Sequence, residues 1–252
     1  MITHGFSRAP LSRRRFLAGC SLTLAACASG NAAPDPPAGN RAPEARFYER
    51  LKNGTVRCRL CPRNCGVDRL AGKAGICRTG DQAVVASYSP HFGEEAPLVG
   101  TCGSGTVFFS SCSLLCSFCQ NYEISHCLAG KAVEPGELAA MMIALKKMKC
   151  HNIDLVTPTH VVPQILQALV PAIEQGLDIP LVYNCGGYES VETLKLLEGI
   201  VDIYLPDFKF WDNAWARRFC HVSDYREQAA KALKEMHRQV GDLRCDEAGL
   251  AV

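Results

Sequence analysis

Four times along the chain, a short run of β-branched and aromatic residues gives way to a longer stretch with a helical repeat. Thr106, Val107, Phe108 and Phe109, bounded by glycines, read as a short buried strand. Residues 135–149 (PGELAAMMIALKKMK) alternate an apolar and a charged face at helical spacing. A strand follows at 153–157, then a helix at 162–175 in which Pro171 is a candidate kink. The rhythm continues with a strand at 179–183, a helix at 191–198, a strand at 201–205 and a long helix at 225–240. Strand and helix in alternation at short spacing predict right-handed βαβ units on a parallel sheet. About four such units would make an arc of a barrel or an open sheet.

Composition changes this picture in one respect. Of 252 residues, 48% are hydrophobic, enough for a substantial core. A net charge of +2, with acids and bases nearly balanced, argues against a nucleic-acid binder driven by phosphate neutralisation. The outlier is cysteine, with 15 in the chain, and the way these cluster points to metal chemistry more than to a disulfide scaffold.

Cys112, Cys116 and Cys119 lie within SSCSLLCSFCQNYEIS, spaced C-x3-C-x2-C, on the loop leaving the first strand. In α/β folds ligands bind at that end of the strands. Three thiolates with no fourth nearby suggest a metal centre with one position left open. A second group, Cys58, Cys61, Cys65 and Cys77, is spaced C-x2-C-x3-C-x11-C and is broken by Pro62, Gly66, Gly72 and Gly75 into a knuckle-like loop. Four thiolates there could close a zinc site or hold an iron–sulfur cluster. Two disulfides are the alternative, disfavoured because near neighbours rarely reach relaxed disulfide geometry. A thiol–disulfide pair made of Cys58 and Cys61 is a further reading, but it lacks a thioredoxin-like βαβ context. Cys20, Cys102, Cys127, Cys150, Cys185, Cys220 and Cys245 have no informative spacing, and a buried free thiol is the expectation for most of them.

The chain begins with an address. Ser12-Arg13-Arg14-Arg15-Phe16-Leu17 reads as a twin-arginine export signal, followed by an apolar run too short to span a bilayer. Leu24-Ala25-Ala26-Cys27 resembles a lipobox, which makes Cys27 the candidate lipidation site and membrane anchor. The expected organisation is a signal over 1–27, a flexible Ala/Pro/Gly-rich linker over 28–46, a Cys-rich segment over 47–100 and a core over 101–252. The expected location is a membrane-anchored exported lipoprotein, with a cytoplasmic protein as the alternative.

C-x3-C-x2-C after the first strand, with Phe118 just before the third cysteine, resembles the signature of the radical S-adenosylmethionine superfamily. The segments GSGTVFFSSCSLLCSFCQNYEIS, VTPTH, VYNCGGYE, YLPDFKF and SPHFGEEAPLVG are similar to its pyruvate formate-lyase activating enzyme-like branch, over roughly residues 47–245. The resemblance implies an α/β fold, a partial (β/α) barrel preceded by the small Cys-rich knuckle. It implies that Cys112, Cys116 and Cys119 hold three irons of a 4Fe–4S cluster, with S-adenosylmethionine on the fourth. Reductive cleavage of that co-substrate would give a 5′-deoxyadenosyl radical that abstracts hydrogen, as in the activating enzymes of glycyl-radical proteins. It further implies a low-potential electron donor and a protein or small-molecule substrate. Phe118 is expected near the adenine, Asn121 bracing the loop, Asn184 at the third strand end, and Asp207 and Lys209 beside the cofactor, with Lys209 suited to a carboxylate. Thr157, Thr159 and His160 stand at the second strand end, His160 either at a substrate or simply starting the next helix.

Three departures accompany the resemblance. Ser111 stands where the family usually has glycine, which costs stability if that backbone needs a positive φ, and Leu115 stands where arginine is usual. The chain stops at DEAGLAV, where a fifth strand is expected, so the core reads as truncated or as completed by a partner. Export would also part the protein from cytosolic S-adenosylmethionine. The competing reading is therefore an exported, non-enzymatic metal or iron–sulfur lipoprotein that carries electrons or only structure.

Overall fold

The computed structural model describes residues 48–50 and 56–252. The export signal, Cys20, the candidate lipidation site Cys27 and the linker lie outside the described residues. A small antiparallel pair, β1 (Tyr48–Arg50) and β2 (Val56–Cys58), leads into the cysteine knuckle. The core is an α/β unit built on a six-stranded mixed sheet in the order β5-β3-β4-β6-β7-β8. Its strands are β3 (Ala83–His91), β4 (Ser104–Phe109), β5 (Lys131–Val133), β6 (Ile153–Val156), β7 (Leu181–Cys185) and β8 (Ile203–Pro206).

The four strands expected from the sequence are β4, β6, β7 and β8, and they are parallel and adjacent. Their bounds differ from the expected ones by one or two residues. Expected at 179–183, β7 begins at Leu181 after Pro180, which has no N–H to give to a ladder. Expected at 201–205, β8 runs from Ile203 to Pro206. Among the described helices, α1 (Ala96–Val99) precedes β4, α2 (Tyr122–Cys127) follows the three-cysteine loop, and α3 (Pro135–Lys147) follows β5. Glu134 and Glu137 close a capping box at the start of α3. A 3-10 turn, Thr159–Val161, opens α4 (Val162–Glu174), which runs through Pro171. The helix expected at 191–198 is only α5 (Val191–Leu194), because the chain then tightens into successive turns through Leu196, Leu197 and Ile200. α6 (Asn213–Cys220) and α7 (Tyr225–Val240) complete the set.

β3 and β5 are absent from the sequence expectation. β3 alternates poorly, with Ser87, Tyr88 and Ser89 all exposed in its middle, so no clean period of two marks it. Its antiparallel pairing with β4 and β5 covers the outer edge of the first parallel strand. The DEAGLAV segment does not add a strand beside β8. Cys245 and Ala251 form an isolated antiparallel bridge, and the Ala251 N–H donates to the carbonyl of Pro97. Ala251 packs with Leu98, Val182, Ile203 and Leu205 beneath the inner face of the sheet. The other face buries Val107, Phe109, Ile153, Leu155, Leu181 and Tyr183 against α3 and α4. The faces separate because successive strand residues point to opposite sides. Val156, Asn184 and Leu205, on the inner face, therefore lead up to the strand ends.

Candidate functional site at the strand ends

A cavity of about 750 Å³ opens at the C-terminal ends of β4, β6, β7 and β8. Cys112, Cys116 and Cys119 line it, together with Phe118, Asn121, Thr157, Asn184, Asp207 and Lys209. Residues spread over almost a hundred positions thus meet because each follows a parallel strand at its ligand-binding end.

The three-cysteine loop is tightly formed. Ser111 has φ 75° and Leu115 φ 51°, both left-handed and unfavourable for side chains with a Cβ. The serine hydroxyl donates to the carbonyl of Cys77, a hydrogen bond that glycine would lack. The Ser111 N–H donates to Ile124, and the Ser117 N–H donates to Phe219 at 2.9 Å. The Leu114 N–H reaches Cys112 Sγ at 3.3 Å. Burial pushes the Cys112 thiol up to about 11, and the Cys116 thiol is raised by its contact with Cys220 and by burial. Phe118 is over half exposed and packs edge-on against Phe210 and Phe219.

Opposite the loop, Lys209 Nζ pairs with Asp207 Oδ2 at 2.5 Å. Burial alone would lower the lysine, but Asp207, Cys116 and Cys112 together hold it above its usual value. Asn184 Nδ2 donates to Asp154 Oδ2 at 3.4 Å. Asp154 is fully buried on the inner face, and desolvation raises its carboxyl to about 7. Thr157, a β-branched residue, sits at φ 61°, an outlier of the kind that gathers at functional sites. Gly186 and Gly187 allow close approach of backbone. A Cβ on Gly187, at φ 73°, would lie 2.2 Å from the Asp207 carbonyl, and one on Gly186 would meet Leu114 at 2.7 Å.

His160 is not part of the cavity lining. It is buried, its Nε2 lies 2.8 Å from the Ser110 carbonyl, and burial depresses it to about 4, so it is a neutral structural residue of the 3-10 turn. Thr159 does line the cavity, and its hydroxyl donates to Glu189 at 2.7 Å. Glu189 is buried, also accepts from Tyr183 at 3.1 Å, and is raised by desolvation to about 7.

Sequence reasoning missed three residues that hold this site. Tyr225 was legible only as a helix start. Its hydroxyl accepts from the Lys209 N–H at 2.7 Å and faces the carbonyls of Gly186 and Asp207 at 2.9 and 3.0 Å. Arg63, inside the knuckle, donates to the carbonyls of Ser113, Leu114, Cys220 and His221. Cys220 itself, without informative spacing, places its thiol 3.2 Å from Cys116 Sγ. Of the remaining solitary cysteines, Cys150 and Cys185 are buried as expected, Cys102 is half-buried, and Cys127 and Cys245 are exposed.

The knuckle packs into the main core through Cys58 and Leu60, outside the cavity lining. Buried Arg69 donates to Cys77 Sγ at 2.9 Å and to the His160 carbonyl at 2.6 Å. Burial pushes Cys61 up to about 12. No three His, Cys, Asp or Glu side chains among the described residues converge as ligands of one metal ion would. Ligands of a multi-iron cluster bind separate irons and need not converge on one point. The donor set at the cavity fits an anionic iron–sulfur cluster: three thiols, a backbone N–H on sulfur, and a lysine in the same lining.

The chain is similar to two curated proteins of Methanocaldococcus jannaschii. It is 34% identical to the uncharacterized protein MJ0674, over 70% of this chain and 52% of that one. It is 27% identical to the uncharacterized protein MJ0808, over 61% of this chain and 50% of that one. The chain therefore spans about half the length of the curated relatives it matches. No family model matches, and no solved structure matches.

Proposed function

We propose that this chain is a radical S-adenosylmethionine iron–sulfur protein with a partial (β/α) barrel, resembling activating enzymes of glycyl-radical proteins. The observation that carries the reading is the meeting, in one cavity of about 750 Å³, of the three-cysteine loop with Asn184, Asp207 and Lys209 from the ends of two other strands. That volume suits a nucleoside-sized ligand. A 4Fe–4S cluster with S-adenosylmethionine supplies one-electron, hydrogen-abstracting chemistry when bound.

The protein's own contributions follow from the geometry. Cys112, Cys116 and Cys119 are the cluster ligands. Lys209, oriented by Asp207 and Tyr225, offers its charge to a carboxylate. Phe118 presents an open aromatic face for an adenine. Asp154 and Val182, both buried on the inner face of the sheet, keep water from the floor. The substrate is a protein or a small molecule, and the electron donor is of low potential. The knuckle cysteines would hold zinc or a second cluster. Export and lipidation at Cys27 rest on the sequence, and no described helix is long and apolar enough to cross a membrane.

The test is anaerobic reconstitution of the full chain with iron and sulfide, followed by electron paramagnetic resonance of the reduced protein with and without S-adenosylmethionine. A 4Fe–4S signal that shifts on addition is the expected result. A signal indifferent to the addition would overturn the reading in favour of a non-enzymatic metal protein.

A further inference from the structure

The Cys220 and Cys116 thiols lie 3.2 Å apart, sulfur to sulfur, between residues 104 apart in sequence. This contact does not come from loose packing. The segments bearing the two thiols are joined by the backbone hydrogen bond from Ser117 to Phe219 at 2.9 Å. Arg63 clamps them again, reaching the Leu114 carbonyl at 3.2 Å and the Cys220 carbonyl at 2.5 Å with the same nitrogen. Two thiolates on one tetrahedral ion, each about 2.3 Å from the metal, stand about 3.8 Å apart. The observed pair is closer than that, at 3.2 Å, on the way to the disulfide bond length of about 2 Å.

Access is unequal. Cys116, although buried, borders the cavity, whereas Cys220 is fully buried and outside the lining. We propose that Cys116 and Cys220 are an oxidative modification site, with Cys116 the peroxide-accessible thiol and Cys220 its resolving partner. In the first step, hydrogen peroxide transfers one oxygen to Cys116 Sγ. The O–O bond breaks, Cys116 becomes a sulfenic acid, and one water leaves. In the second step, the Cys220 sulfur attacks the Cys116 sulfur. The S–O bond breaks, the S–S bond forms, and the second water leaves carrying the Cys220 proton. Two thiols lose two electrons and peroxide gains them. A thiol reductant reverses the outcome. The disulfide itself is independent of the proposed function. Its consequence, withdrawal of one of three cluster ligands, rests on that reading.

The experiment takes the full chain, stripped of metal by chelation and reduced, and adds one to two equivalents of hydrogen peroxide. A denaturing N-ethylmaleimide quench, digestion and mass spectrometry then map the linkages. The expected result is a Cys116–Cys220 linked peptide as the main product, lost on reduction. Cys220→Ser should leave Cys116 as a sulfenic acid and raise its capture by dimedone several-fold. Cys116→Ser should leave Cys220 reduced, and circular dichroism checks that both variants fold. Linkage of Cys116 to Cys112 or Cys119, or full alkylation of Cys220 after Cys116 has been oxidised, overturns the proposal. A parallel measurement of iron uptake separates the two readings. The linked protein should bind several-fold less iron until it is reduced. Unchanged uptake with the disulfide in place would leave the modification standing and remove Cys116 from the ligand set.

Discussion

The two cysteine groups look alike as spacings and differ as places. Cys58, Cys61, Cys65 and Cys77 fold inward, with Cys58 joined to the hydrophobic core and buried Arg69 on Cys77. Cys112, Cys116 and Cys119 sit on a strand-end loop whose other side is a cavity. The difference teaches that spacing reports the capacity to chelate, whereas room for a ligand beside the thiols is a property of what stands opposite the loop. The groups are also joined: Ser111 holds the Cys77 carbonyl, and Arg63 reaches from the knuckle to both sides of the loop.

The largest expected contrast is in chemistry. On the proposed function, Cys116→Ala removes a cluster ligand and should lower reductive cleavage of S-adenosylmethionine by more than the roughly 10–100-fold typical of losing an outer-shell partner. Cys65→Ala should leave the cofactor-dependent shift of the resonance signal in place while lowering the total metal bound. Equal loss of cleavage in both variants would break the distinction between an open and a closed group.

The next contrast is between two glycines. Gly187 and Gly72 both have positive φ, at 73° and 76°. A Cβ on Gly187 would strike the Asp207 carbonyl, whereas one on Gly72 meets nothing within 4 Å. Gly187→Ala should cost about 3 kcal/mol or more in denaturant unfolding, and Gly72→Ala about 1 kcal/mol. Similar costs at the two positions would mean that the strand-end turn is not tightly set.

Acid titration sharpens the comparison from below the cavity. Glu189, ordinarily near 4.5, is raised to about 7 by desolvation. Between those values the folded state keeps its proton and the unfolded state releases it. Its contribution is therefore fully present below the unfolded value and is lost as pH rises to about 7, up to about 3 kcal/mol. His160 acts oppositely: depressed to about 4, it withdraws stability as pH falls from about 6.5 to about 4. Glu189→Gln removes only the first effect. Its stability relative to the parent chain should rise between pH 4.5 and pH 7, and a pH-independent difference would sink the account.

The smallest effect is expected at Leu115. At φ 51°, replacement by glycine relieves the left-handed backbone, and Leu115→Gly should change stability by no more than about 1 kcal/mol in the favourable direction. A clear loss would show that the side chain's packing outweighs its backbone cost.

Much of this could be read before folding. The parallel strands β4, β6, β7 and β8 were legible because each is a compact apolar run between polar or glycine-rich stretches. Their C-terminal ends, and with them Cys112, Cys116, Cys119, Asn184, Asp207 and Lys209, were legible because a parallel sheet presents such ends on one side. The positive φ at Ser111 was legible as a conditional cost, and the structure bears the condition out.

Long-range pairing was not legible. β3 carries too little alternation to announce itself, and its place is set by the ladder that β4 offers. Arg63 bonds to carbonyls, and a carbonyl has no residue type to read. Tyr225 meets Lys209 across 16 residues, and Cys220 meets Cys116 across 104. Local sequence determined the elements and the chemical types at their ends, because periodicity and backbone sterics act over a few residues. Only the tertiary structure decided which thiol faces a cavity, which is buried, and which finds a partner, because those depend on distances between segments that the chain's order leaves unspecified.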